Sequence, residues 1–387
     1  MAEVEFSPTS VSFIETIFRQ IHNSKNKWLQ QSAQILASLQ NNDLFQTINQ
    51  KSTAFNYIPL QIRQNITSSL QKTILTFSFT VSTEGKSKDR IEKTYTIHLW
   101  APILPNKHKI VKYIEKIFVW LHTIHPYTKP NCSTDVNIFL FLTDFLKKLP
   151  EKKTELISEI HANTAFTTGC YSNKTDIFIF REEEWFKVLM HESFHNQGLD
   201  FLEMPQKPIN TAIKKMFAVS LIDDVRLYES YCETWANFMC FMFSVYYKTK
   251  PETTRRERIS LLKDVVEKEI VFALYQCAKV LRFQDLHYSD FIKGSYTIQK
   301  YNEKTQTFSY YIVKCILLYN INSFLEFCGK KLNFACNQEN LQKYLEIIRV
   351  GRIDPTFIDC IHNMESKIDR QSSKKTVLNQ TLRMTAL

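Results

Sequence analysis

Hydrophobic and polar positions alternate along this chain in two different rhythms. In "VSFIETIFRQI" apolar side chains recur at Phe13, Ile14, Ile17, Phe18 and Ile21, a spacing that predicts a helix, and residues 9–50 read as helical. The polar stretch "QNNDLFQTINQKSTAFN" follows. "TILTFSFTVS" (73–82) and "KTYTIHLWAPI" (93–103) are rich in β-branched and aromatic residues and predict two strands, joined as a long hairpin through "TEGKSKDRIE". Residues 106–124 are amphipathic and predict a helix, and "DVNIFLFL" (135–142) predicts a buried strand. Beyond the charged "LPEKKTELI", the segments "ISEIHANTAFTTG" and "TDIFIF" predict two more strands joined by "CYSNK". From residue 209 onward the pattern is helical, over 209–222, 224–247, 254–282, 305–328 and 338–349.

The pattern therefore predicts an α+β chain. An N-terminal helical region (1–70) precedes a mixed α/β lobe (71–205) and an all-helical lobe (206–365). The stretch 366–387 is polar and basic and is expected to be a flexible tail.

Composition changes this picture little. Hydrophobic residues make up 44% and charged residues 23%, as in globular proteins. Net charge is +10, with one cluster at Lys367, Arg370, Lys374, Lys375 and Arg383. No nucleic-acid motif accompanies it, so it reads as a solvated basic surface and nucleic acid is not an expected partner. The nine cysteines form no C-x-x-C, their number is odd, and no apolar signal core opens the chain. This predicts a reducing, cytoplasmic setting in which Cys170, Cys232 and Cys240 are thiols. The runs "FMCFMFSVYY" and "IVFALYQCAKVL" are too short to span a bilayer.

The candidate chemistry lies in "EEEWFKVLMHESFHNQGLDF", residues 182–201. Trp185, Phe186, Leu189, Met190 and Phe194 supply an apolar stripe, Glu182, Glu183 and Glu184 are expected on the first turn, where they complement the dipole, and Gly198 is placed to end the helix. His191 and His195, four residues apart, share one helical face, so two imidazoles can reach one Zn²⁺. Glu192 stands beside the first as a general base. A third ligand is required. Asp200 is one residue early for H-E-x-x-H-x-x-G-x-x-H, where this chain has Phe201. Glu229 and Glu233 in "RLYESYCETWANFMCFMF" share a helical face, and Glu233 is preferred, with Glu229 as the alternative, because Ala236 lets its helix approach closely.

These motifs resemble the gluzincin class of H-E-x-x-H zinc metallopeptidases over about residues 135–245. The resemblance implies a zincin-like lobe in which a sheet ending in a substrate-binding edge strand packs beside the active-site helix. Asn163-Thr164-Ala165-Phe166 is similar to the strand of neprilysin-like enzymes whose Asn contacts substrate, which makes Asn163 and Ala165 candidate substrate-binding residues. Those enzymes place an Asp four residues after the ligand glutamate to orient a histidine. Counted from Glu233, that position is Asn237, a departure. There is also a resemblance to metallopeptidase-like proteins of large DNA viruses, which would allow a virion location.

The implied activity is peptide hydrolysis, with Glu192 moving the proton between water and the leaving amine. Tyr231, His287, Tyr310 and Tyr311 are the candidates for oxyanion donor, and Tyr310 is favoured. The alternative is an inactive metallopeptidase-like structural or interaction protein that works through its basic surface.

Overall fold

A computed structural model describes residues 3–82, 91–217, 219, 224–250, 252–293, 301–371 and 376–387. The tip of the predicted hairpin at 83–90, the end of the helix expected over 209–222, and Lys374 and Lys375 lie outside the described residues.

In chain order the elements begin with α1 (Pro8–Ala37), β1 (Gln40–Asp43), α2 (Leu44–Asn49), α3 (Ser52–Phe55) and α4 (Leu60–Ser68). Next come β2 (Thr73–Ser82), β3 (Glu92–Trp100), α5 (Lys107–Ile124), β4 (Asp135–Phe141), α6 (Glu159–Ala162), β5 (Ala165–Thr167), β6 (Lys174–Ile179) and α7 (Trp185–Asn196). Helices follow: α8 (Gln206–Phe217), α9 (Leu227–Lys248), α10 (Arg255–Phe283), α11 (Asp290–Lys293), α12 (Lys314–Tyr319), α13 (Ile321–Cys328), α14 (Gln338–Gly351), α15 (Pro355–Gln371) and α16 (Val377–Gln380). The fold class is α+β, as the pattern predicts. The chain forms two compact units, one from Ile14–Leu146 and Thr164–Leu199, the other from Met1–Phe13, Lys147–Asn163 and Asp200–Leu387.

The first unit holds a six-stranded mixed sheet in the order β1-β2-β3-β4-β6-β5. β1, β2 and β3 are antiparallel, β3, β4 and β6 are parallel, and β5 returns antiparallel to β6. One face carries Phe79, Tyr95, Ile97, Val136, Ile138 and Ile177 and packs on α5, where Phe118 lies 5.0 Å from Phe79. The other face is an aromatic row. His98 stacks on Phe139 at 4.6 Å, Phe139 on Phe178 at 4.5 Å, and Phe178 on Phe166 at 5.0 Å. Phe55 and Tyr57 cover this row.

β1 corrects the reading of residues 9–50 as helical. Its sequence, Gln-Asn-Asn-Asp, has no apolar alternation to read, so it becomes a strand through main-chain pairing with β2 alone, from Gln40↔Thr76 to Asp43↔Thr73. Asp43 then caps α2 by accepting from the Gln46 N–H at 2.7 Å. The strand predicted from "ISEIHANTAFTTG" is shorter than expected, because its first half forms α6, capped by Ser158 and His161.

In the second unit α9 and α10 match their predicted spans within a few residues, and α10 starts at a Thr254–Glu257 capping box. The helix expected over 305–328 is broken. It opens as a π-helical turn at Phe308–Val313 and bends by 88° between α12 and α13. Asn320 sits at the bend and donates its amide to the Ile316 carbonyl at 2.9 Å, competing with the helix ladder. Among the described residues no single helix is long and apolar enough to cross a membrane.

The expectation of a flexible tail is also corrected. α15 runs to Gln371, and Leu382 and Met384 are buried with Ile157, Val280 and Tyr311. Leu382 N–H donates to the Lys147 carbonyl at 3.0 Å and Leu149 N–H to the Gln380 carbonyl at 2.9 Å. Buried Lys279 and Lys314 donate to the Leu378 and Met384 carbonyls at 2.8 and 3.0 Å, and Glu269 accepts from Thr385 Oγ1 at 2.9 Å. Burial lowers the Lys279 pKa to about 7. Few apolar residues mark this segment in sequence, and the partners that hold it are distant. Leu382→Ala should cost about 2–5 kcal/mol in urea unfolding. A change below ~0.5 kcal/mol would mean that the segment does not pack.

Candidate metal centre

In the first unit α7 begins at Trp185, so Glu182–Glu184 precede the helix instead of forming its first turn. Glu182 accepts from Lys109 Nζ at 2.6 Å and from the Tyr113 hydroxyl at 2.8 Å; burial pushes its carboxyl up, but these bonds and the Lys109 charge together outweigh it and hold the carboxyl below the ordinary range. Glu184 takes a left-handed conformation, φ 59°. That conformation costs a non-glycine residue about 1 kcal/mol. Every residue of α7 is buried. The Trp120 indole N–H donates to Ser193 Oγ at 3.1 Å and anchors the middle of the helix to α5. Gly198 (φ 65°) ends it, with its N–H on the His195 carbonyl at 3.1 Å and the Leu199 N–H on Phe194 at 2.9 Å.

His191 and His195 project from this helix with their Nε2 atoms 3.1 Å apart. Two nitrogens bound to one tetrahedral zinc at ~2.0–2.1 Å stand about 3.3–3.4 Å apart. The pair therefore fits a shared ion with little rearrangement. Glu192 between them is 7% exposed.

β5 is the edge of the sheet. Phe180 N–H donates to the Thr164 carbonyl and Thr168 N–H to the Asp176 carbonyl. In an antiparallel ladder this parity turns the main-chain groups of Ala165 and Thr167 away from β6. Thr167 Oγ1 accepts from the Asn196 amide at 3.1 Å, which ties the edge strand to the end of α7.

The second unit contains the other candidates. Arg226, which precedes the first residue of α9, is also left-handed, φ 44°. Glu233 is 1% exposed, and its carboxylate accepts from the Asn237 amide at 2.9 Å. Glu229 is 9% exposed, and the Tyr310 hydroxyl donates to its carboxylate at 3.3 Å. Tyr310 lies in the π-helical turn, a local irregularity frequent at functional sites. The other expected donors are engaged elsewhere. Tyr231 donates to the Leu332 carbonyl at 2.9 Å, Tyr311 to Leu382 at 2.5 Å, and His287 pairs with Glu365 at 3.0 Å. Asp200 accepts from the Leu202 N–H at 3.0 Å and lies 3.7 Å from Cys232 Sγ. Asn163 lies outside β5, at the end of α6, and its side-chain oxygen accepts from Thr305 Oγ1 at 2.8 Å.

Other histidines are accounted for by packing. His122 and His125 contact the Phe118 and Ile91 carbonyls at 3.0 and 3.3 Å, and burial lowers the pKa of each to about 4.

Near the end of α7, sequence reasoning missed the buried ammonium of Lys93 and a covalent link. Lys93 is fully buried, and its ammonium donates to the Lys129 and Cys132 carbonyls and to Gln197 Oε1 at 2.7 Å, just past α7. Burial lowers its pKa to about 8. Cys132 and Cys170 form a disulfide, which corrects the expectation of a thiol at Cys170, whereas Cys232 and Cys240 are outside any disulfide. A 38-residue separation gave no spacing signal.

No protein-family model, curated protein or solved structure matches this chain.

Proposed function

We propose that the protein is a zinc-dependent peptidase. The observation that carries this reading is the 3.1 Å separation of the His191 and His195 Nε2 atoms on a buried helix with Glu192 between them. His191 and His195 would supply two ligands, and Glu229 the third.

Glu229 is preferred to Glu233 on two grounds. Counting four residues on from Glu229 reaches Glu233, a carboxylate, so the departure noted at Asn237 disappears. In addition, Asn237 already engages the Glu233 carboxylate, while Glu229 carries the Tyr310 hydroxyl. Glu233 then serves as an orienting group.

A bound zinc ion would supply Lewis acidity toward water and the scissile carbonyl. Glu192 takes a proton from the attacking water and returns it to the leaving amine. Tyr310 donates to the developing oxyanion. The outward main-chain groups of Ala165 and Thr167 suit an extended peptide added to the sheet edge. The substrate is thus a peptide or protein; the buried cysteines Cys232, Cys277 and Cys315, outside any disulfide, suit a cytoplasmic setting, whereas the Cys132–Cys170 disulfide does not.

Metal analysis tests the reading directly. Protein purified at neutral pH without chelators should carry about one equivalent of zinc, consistent with the affinity of such donor sets. Protein that neither retains zinc nor takes it up on titration overturns the proposal.

A further inference from the structure

We propose that Cys132 and Cys170 are a redox-responsive clamp that holds the β5–β6 hairpin against the end of α7. The disulfide links the segment before β4 to the hairpin loop, with a Cα–Cα distance of 5.3 Å. Its surroundings belong to α7. Cys132 Sγ lies 3.3 Å from the Asn196 carbonyl oxygen, which also accepts from Ser133 Oγ at 2.7 Å. A Cβ on Gly198 would stand 3.0 Å from Cys170 Sγ and 2.8 Å from Lys129 Cδ, so the sulfur fills the space beside the helix stop. The Lys93 ammonium binds the Cys132 carbonyl and the Gln197 side chain, so it joins the first cysteine to the same helix end.

Reduction therefore acts on a crowded place. Two thiol sulfurs need more room than a bonded pair, and Gly198 leaves none on its side. The hairpin loop is the element able to move, because Cys170 is half-buried while Cys132 is 4% exposed. The same difference directs the chemistry. A thiolate of the glutathione class attacks Cys170 Sγ, breaks the bond to Cys132 and leaves Cys132 as a thiolate, which takes a proton. A second thiol then attacks the mixed disulfide on Cys170. Two external thiols are oxidised to one disulfide, and the two cysteines gain two electrons and two protons. The Cys132 thiol has an acceptor waiting in the Asn196 carbonyl. Once Cys170 is released, the hairpin loop loses its covalent tie to the Cys132 segment that bonds the end of α7, and β5 keeps the Asn196–Thr167 bond and packing.

The full-length protein, equilibrated with oxidised or reduced glutathione, provides the test. Peptide mapping without reduction should find Cys132 linked to Cys170 in the oxidised sample and both free in the reduced one. Amide hydrogen exchange over residues 164–173 and 195–199 should be about tenfold or more faster after reduction. A Cys132→Ser/Cys170→Ser variant should show the fast exchange in both buffers. Should that variant fail to fold, the wild-type comparison stands alone. Absence of the linked peptide under oxidised glutathione overturns the proposal, as does equal exchange in the two states. Neither readout depends on metal or substrate, so peptidase activity and the clamp stand or fall separately.

Discussion

Glu192→Gln should leave zinc content at the wild-type level and lower peptide hydrolysis about a hundredfold to ten-thousandfold. The amide matches the carboxylate in shape and volume, so the buried surroundings of α7 need not rearrange. It cannot accept a proton from water at neutral pH, and the loss would fall on kcat. Zinc content by mass spectrometry and initial rates on a mixed peptide library measure the two halves of the expectation. A variant that keeps both zinc and turnover removes Glu192 from the mechanism. A variant that loses zinc would assign Glu192 to holding the site together instead.

The second large effect concerns α9. Glu229→Ala should weaken zinc binding by roughly a hundredfold to a thousandfold, on the order of one ligand's share of a total of about 10–16 kcal/mol. Glu233→Ala should weaken it only about 10–100-fold, the range for a group that orients a ligand. Competition with a chelator of known affinity gives both numbers. The order of the two effects is the result that matters. If Glu233→Ala is the more damaging, Glu233 is the ligand and Glu229 with Tyr310 belongs to the substrate side. Circular dichroism of each variant separates metal loss from unfolding, because α9 is almost wholly buried.

The elements most legible in sequence are those whose cause is local. The stripe of α5, the span of α10 and the stop at Gly198 depend on neighbours within a few residues, and each appears close to where the pattern placed it. The His191–His195 pair belongs to this group, since four residues along a helix is one turn. β1 is the opposite case. Four polar residues without alternation become a strand because the open edge of β2 is available to them. The break at Asn320 is intermediate: its side-chain competition is local, but the apolar pattern runs through it unchanged.

The sequence by itself determined the α+β class, the helix bearing His191, Glu192 and His195, and the pairing of Glu229 with Glu233 on one helical face. These rest on helical periodicity, a property of the chain over short distances. Only the tertiary structure decided that Tyr310 bonds to Glu229 and Asn237 to Glu233. It alone showed Cys132 joined to Cys170, the ammonium of Lys93 at the end of α7, and Leu382 in a buried core. Each of these joins groups through packing or side-chain direction, which periodicity does not encode. An ammonium or a polar tail segment reads as surface in any window of sequence. It becomes interior only when distant carbonyls and carboxylates are folded around it.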